Sequence, residues 1–302
     1  MYLVVGATGS LGGQIAKKLL AAGERVRIVE RDSNPVREQN PHTDPRELVA
    51  AGAETVRADL REPGSLAEAV RGVDVVVSTA SGTKRAPPDT TAAVDGEGTA
   101  NLARAAARAG VRRFVLVSAA GADPNAPEGL FRDKGIGAQA VADSGVPYVI
   151  VRPGRYMRDW VGFLIGTQAR MGDVVELVGD GTKPSSFVHE PDVAEIVFHI
   201  ARDAARVAGE EVEVSTETAT YPDIVERMGR ALGRQLRVKH VPVGGQLTTL
   251  PEAVGGIVGH LLTVHAMAPA HVNVDRTEAE RYGVRLTGLD TFMSQMAQPQ
   301  PA

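Results

Sequence analysis

The chain has 302 residues, 43% of them hydrophobic and 23% charged, with a net charge of −4 at pH 7. Such a chain can bury a full core as one large domain or two smaller ones, and its acidic balance argues against nucleic-acid or anionic-membrane partners. The lack of cysteine excludes disulfides, thiolate chemistry and cysteine zinc sites, and it fits a cytoplasmic location.

The chain enters an apolar strand at once (Tyr2 to Val5), without the basic region and small-residue cleavage site of a signal peptide. Gly6-Ala7-Thr8-Gly9-Ser10-Leu11-Gly12 follows, then a helical pattern carrying Ile15, Leu19 and Leu20, then Gly23 and a second strand ending at Val29-Glu30. Strand, glycine turn, helix and strand form the unit that lays a dinucleotide diphosphate on a helix N-terminus. Gly6 permits the sharp turn, Gly9 the approach of backbone to phosphate, and Gly12 close packing of helix on sheet. Glu30 lies 18 positions after Gly12, near the place of a ribose-binding acid. No Lys-Ser or Lys-Thr follows the glycines, against a nucleotide-hydrolase phosphate loop.

Further strands are expected at 26–29, 55–56, 73–77, 113–118 and 147–151, with helices near 10–23, 44–51, 64–71, 92–109 and 129–143. Near-continuous Val, Ile and Leu runs predict strands buried on both faces of a parallel sheet. The fold class is therefore α/β: a doubly wound parallel sheet of about seven strands with a small C-terminal α+β lobe. Residues 1–154 form the dinucleotide-binding core. Residues 155–302 form mainly the substrate lobe, with some elements returning to the sheet. Strands at 174–178, 212–214 and 236–240 and helices at 192–202, 224–232, 277–282 and 289–296 are expected there, with a frayed tail at 298–302. The apolar, glycine-interrupted segment 245–266 is either a lid or an ordinary helical hairpin. The longest apolar stretch, 253–268, is too short and too broken to span a bilayer, which needs about 20 apolar residues. The seven histidines show no metal-binding spacing, and no Gly-x-Ser-x-Gly is present, so neither a metal nor a serine triad is expected.

Several pieces now align: Val4 to Gly9, Ala58-Asp59-Leu60, Gly98-Thr99-Ala100-Asn101-Leu102, Arg113 to Ser118, Lys134, Val151-Arg152-Pro153-Gly154, Phe187-Val188-His189 and Asp192-Val193-Ala194. Together they resemble the atypical short-chain dehydrogenase/reductase superfamily, NmrA-like branch, an NAD(P)-binding Rossmann family. The resemblance implies that Gly6, Thr8, Gly9, Ser10, Leu11 and Gly12 bind diphosphate and that Asp59 and Leu60 border the adenine. It places Thr79, Ala80, Ser81 and Ser118 along the coenzyme, and Pro153 and Gly154 beside the nicotinamide. Glu30 opposes NADP and Arg31, at the family's phosphate-binding arginine position, favours it; the choice stays open.

The family's reductases pair tyrosine and lysine as Tyr-x-x-x-Lys, because residues i and i+4 share a helix face. Here Lys134 is present, but Leu130 stands where the tyrosine belongs and Ala119 where the active serine belongs. Losing a general acid costs roughly 10²- to 10⁴-fold; hydride proximity contributes more, about 7–11 kcal/mol, so an enzyme could survive the loss. Tyr156, His189 or a phenol on the substrate itself could protonate the oxygen. Trp160 and Phe163 beside Tyr156 form an aromatic patch where a flat ring could stack. The expectation is an NAD(P)H-dependent ketoreductase for a bulky, aromatic or polyketide-like small molecule of the kind met in antibiotic biosynthesis, with Lys134, Tyr156 and His189 as catalytic candidates. The alternative is a dinucleotide-binding redox sensor without turnover. Oligomeric state is open.

Overall fold

In the computed structural model the described residues are 1–31, 43–83, 87–206, 208–267 and 270–298. Residues 299–302 of the expected frayed tail lie outside them. The strands are β1 (Tyr2–Val5), β2 (Val26–Glu30), β3 (Glu54–Arg57), β4 (Val75–Ser78), β5 (Arg113–Val117), β6 (Tyr148–Pro153), β7 (Arg155–Tyr156), β8 (Val174–Val178), β9 (Ser185–Val188), β10 (Glu210–Val214), β11 (Glu217–Ala219) and β12 (Arg237–Val241). The α-helices are α1 (Ser10–Ala21), α2 (Pro45–Ala50), α3 (Pro63–Ala69), α4 (Thr99–Arg108), α5 (Leu130–Ala142), α6 (Thr167–Met171), α7 (Glu190–Arg202), α8 (Tyr221–Ala231), α9 (Glu252–Met267), α10 (Thr277–Tyr282) and α11 (Leu289–Ala297).

A seven-stranded sheet runs in the order β10-β6-β5-β4-β1-β2-β3, with parallel pairing from β6 across to β3. This is the expected doubly wound α/β sheet. Leu3, Val4, Val76, Val77, Phe114, Val115, Val149 and Ile150 are fully buried, as strands covered on both faces require. The chain lays β2 and β3 on one side of β1, then returns to lay β4, β5 and β6 on the other. That reversal opens a crevice at the carboxyl ends of β1 and β4, where such sheets bind ligands. The helix expected over 92–109 is two pieces: a π-helical stretch, Ala92–Gly98, runs into α4. The wider turn buries Asp95 and is a feature often found at functional positions.

Contacts divide the chain into two units, Met1–Arg152 with Val193–Glu213, and Pro153–Asp192 with Val214–Ala302. In the first, α1 buries Leu11, Ile15, Ala16 and Leu19, and Lys18 pairs with Glu195 of α7. The second holds a three-stranded sheet, β11-β9-β7, and a two-stranded one, β12-β8. Its core gathers Met157, Val161, Leu164, Phe187, Tyr221, Ile224 and Phe292. Strands β7 and β11 and the π-helical stretch Arg158–Gly166 were not expected from sequence. β7 has only two residues. β9 opens with Ser185-Ser186, buried polar residues that do not read as an apolar strand. Segment 245–266 is a single helix, α9, preceded by a turn, not a hairpin, and Leu247, Leu250, Val258 and Leu262 build it into the core.

Candidate functional site

The first group of candidate residues lies at the crevice of the first unit. Gly6 has φ +89°, and a Cβ there would stand 2.7 Å from Thr79 Oγ1 and 2.9 Å from the Ala80 nitrogen. A Cβ on Gly12 would stand 2.3 Å from the Gly6 carbonyl oxygen. The Gly9 amide closes the turn on that oxygen at 2.9 Å. Gly9 then caps α1 in an extended conformation, with no side-chain cap and no acid in the first turn. Thr8 lies within this turn, and Ser10 and Leu11 open α1. A helix start without side-chain caps, reached by backbone with no room for side chains, fits a diphosphate. Thr79, beyond β4, is pinned to the Val5 carbonyl by both its amide, at 2.9 Å, and its hydroxyl, at 3.2 Å. Ala80 and Ser81 follow, the latter hydroxyl 2.7 Å from that of Thr83.

The ends of β2 and β3 carry an ionic network that sequence reasoning did not foresee. Arg31 Nη1 donates to both oxygens of Asp89, at 3.0 and 2.9 Å, and lies 3.8 Å from Asp59. Arg61 reaches Asp59 at 2.5 Å and Asp89 at 3.0 Å. The hydrogen bond from Arg61 holds the Asp59 carboxyl below its ordinary range, against a smaller opposing effect of burial. Leu60 is buried, and its carbonyl accepts from Asn101 Nδ2 at 2.9 Å. Glu30 ends β2 in register with Arg57.

Lys134, on α5, donates to Asp95 Oδ1 at 2.7 Å, and both side chains are largely buried. The other Asp95 oxygen accepts the Gly82 amide at 2.8 Å. Asp95 thus ties the lysine to the loop after β4, a role that 39 residues of separation hid in the sequence. Ser118 donates its amide to Val151 at 2.8 Å, and its buried hydroxyl has no hydrogen-bond partner.

The second group lies in the second unit. Pro153 ends β6, and the Gly154 amide donates to Val214 at 2.9 Å. A Cβ on Gly154 would stand 2.8 Å from the Ser186 carbonyl oxygen. Tyr156 pairs in register with Val188, which brings it beside the residue that precedes His189. The Tyr156 hydroxyl is buried without a hydrogen-bond partner. Burial pushes it well above its ordinary range, and the charges of Glu190 and Asp159 add to this. His189 Nδ1 lies 3.6 Å from Asp192 Oδ1, beyond hydrogen-bond distance, and its ring rests on Phe292 at 5.7 Å. Trp160 and Phe163 pack, partly buried, against the core of this unit. Arg155 lies over the Trp160 ring at 5.1 Å, a neighbour that the aromatic spacing alone did not reveal. Among the described residues there is no cluster of three or more potential metal ligands and no helix long and apolar enough to cross a membrane.

Comparison with known proteins bears directly on this arrangement. The chain is 31% identical over 253 residues, 83% of it and 80% of the relative, to the (4-alkanoyl-5-oxo-2,5-dihydrofuran-3-yl)methyl phosphate reductase of Streptomyces griseus. It is 26% identical to the NAD(P)H azoreductase of Xenophilus azovorans, over 89% of this chain and 87% of that one. Among solved structures, the NADPH complex of the Escherichia coli quinone oxidoreductase QOR2 superposes with a TM-score of 0.76, covering 98% of this chain and 99% of that chain at 19% identity. The structure of AtPrR2 with NADP+ and (+)pinoresinol gives a TM-score of 0.73 at 24% identity, covering 97% of each chain. The model of the NmrA-like family matches residues 2–289; with the glycine turn, the switch of strand order and the retained lysine already in place, the chain belongs to the NmrA-like family.

Proposed function

We propose that this NmrA-like protein is an NAD(P)H-dependent oxidoreductase that reduces a carbonyl group on a bulky, aromatic or polyketide-like small molecule. The reductase class is supported by relatives named as furanone-phosphate and azo reductases; the ketone is the narrower reading. The observation that carries it is Lys134, held at 2.7 Å by buried Asp95. A ribose-orienting lysine kept in a fixed place serves turnover more than it serves mere sensing.

NAD(P)H, when bound, would supply the hydride. The chain's own residues hold its diphosphate at the start of α1 and position Lys134 through Asp95. Tyr156, raised by burial, stays protonated at physiological pH and can donate to an alkoxide, which is far more basic than a phenolate. His189 is the second donor available in that unit. A donor of this kind supplies about 3–5.5 kcal/mol of barrier lowering.

Stopped-flow oxidation of NADH and NADPH in the presence of aromatic ketones, quinones and azo compounds tests the reading. Ketone-stimulated oxidation, lowered at least about tenfold in Lys134→Ala, is the expected result. Coenzyme binding without any stimulated oxidation, unchanged by Lys134→Ala, would replace the reductase with a sensor.

A further inference from the structure

The geometry points to an anion-recognition site built by Arg155, Tyr221 and His265 of the second unit, which takes a phosphate or carboxylate group carried by the small-molecule substrate. This rests on the reading of that unit as substrate-binding and adds a charge requirement to it.

The Arg155 Nε is buried without a hydrogen-bond partner, and among the described residues no carboxylate pairs with it. A buried cation without a counter-charge is costly, so proteins rarely keep one unless something completes it. The nearest register neighbours do not. Arg155 pairs with Phe187, which pairs in turn with Glu217. The Glu217 carboxylate is already held by Arg227 at 3.0 Å and by the Leu289 amide. Trp160 offers its ring face, which attracts the cation but leaves its Nε–H unused.

Two more side chains repeat the pattern. Phe187 meets Tyr221 edge-on at 6.5 Å, and Tyr221 meets His265 at 4.6 Å. Tyr221 and His265 are each only 2% exposed. The Tyr221 hydroxyl and both His265 ring nitrogens are buried without hydrogen-bond partners. Burial, then the charges of Arg155 and Lys183, lowers His265 to about 3, so the ring is neutral and keeps one N–H donor. Burial raises the Tyr221 hydroxyl, so it too remains a donor. Lys183 donates to the Ala266 carbonyl at 2.6 Å, which sets a second positive charge beside His265. The gathered groups are a guanidinium fork, a hydroxyl, an imidazole N–H and a neighbouring ammonium. These are the donors from which an anion bound there would accept.

Trp160 is the chain's only tryptophan and lies under Arg155, so its emission reports on the site directly. Coenzyme-free protein is titrated with phenyl phosphate, benzoate and the neutral benzyl alcohol, and the same series is run on Arg155→Met and Tyr221→Phe. Saturable emission changes with one or both anions are expected, at least tenfold tighter than with the alcohol. The tighter anion identifies the group recognised. Arg155→Met should weaken the anion at least tenfold and Tyr221→Phe severalfold, with NADH affinity by calorimetry unchanged. Arg155→Gln, which keeps the stem and a donor, replaces Arg155→Met if that variant does not fold. Equal affinity for the alcohol, full anion affinity in the Arg155 variants, or no saturable response to either anion would overturn the proposal. Anion binding without any coenzyme oxidation would instead fail the reductase reading and leave this site standing.

Discussion

Arg31 gives one guanidinium nitrogen to both carboxylate oxygens of Asp89, at 3.0 and 2.9 Å, while its other terminal nitrogen is buried without a hydrogen-bond partner. The arginine expected to favour NADP is therefore already neutralised, within a network of two arginines and two aspartates. Asp89→Asn removes one negative charge from it. NADPH affinity should then rise about tenfold relative to NADH, or about 1.4 kcal/mol, inside the ~1–4 kcal/mol that a pair of unit charges about 4 Å apart is worth. Calorimetric titration with both coenzymes measures the ratio; no change would show that Arg31 does not read the ribose 2′ position.

Gly12→Ala places a Cβ 2.3 Å from the Gly6 oxygen and 2.6 Å from Thr79 Oγ1. The turn must then open, at a cost of about 1–3 kcal/mol in stability, and binding of both coenzymes should be lost. Gly23→Ala is the control. Gly23 also has positive φ, +77°, but a Cβ there meets nothing within 4 Å. Its backbone strain of roughly 1–2 kcal/mol should lower the melting temperature without touching coenzyme affinity.

Tyr156→Phe removes only a hydroxyl, one that is buried and unpartnered. We expect kcat to fall about 10²-fold, the low end for a general acid, with KM little changed. Because burial raises this hydroxyl well above its ordinary range, its contribution should be flat between about pH 6 and 9. An unaltered rate in Tyr156→Phe with a loss in His189→Gln would move the role to the histidine. Unaltered rates in both would leave protonation to the substrate.

Glu176 is fully buried on β8. It accepts from Lys239 Nζ at 2.7 Å, from the Thr248 hydroxyl at 2.7 Å and from the Thr249 amide at 2.9 Å. Burial alone would raise its carboxyl, but these donors outweigh burial and hold it at about 2, against an ordinary 4.5. A depressed carboxylate contributes stability that is complete above the unfolded value and fades as pH falls from about 4.5 towards about 2. Glu176→Gln should cost about 1–3 kcal/mol near neutrality, and the cost should shrink as the pH approaches 2. Chemical denaturation of both proteins across that range checks the sign.

Much of this was legible in the sequence, because the first unit writes its strands as unbroken Val, Ile and Leu runs separated by glycine turns. The glycine turn could be read residue by residue, since its shape depends on local backbone. What could not be read were partners brought together by folding. Asp89 meets Arg31 across 58 residues, and Asp95 meets Lys134 across 39. Nothing in the local pattern of either aspartate separates it from a solvated turn acid. The second unit hid for a different reason. Its strands are short and, in Ser185-Ser186, polar where they are buried, so the alternation that marks a strand is missing. Arg155 stands directly between Gly154 and Tyr156, yet its significance lies in a missing counter-ion, which no sequence displays.

The seven-stranded sheet ends in β10, and that strand arrives only after the chain has already laid down residues 153–192 of the other unit. Synthesis must therefore pass residue 210 before the first unit has its last strand. Until then β6 is a bare apolar edge, the kind of surface on which nascent chains pair wrongly. Truncation at residue 152 would make that exposure permanent, so a soluble minimal fragment of the first unit is not to be had by simple deletion.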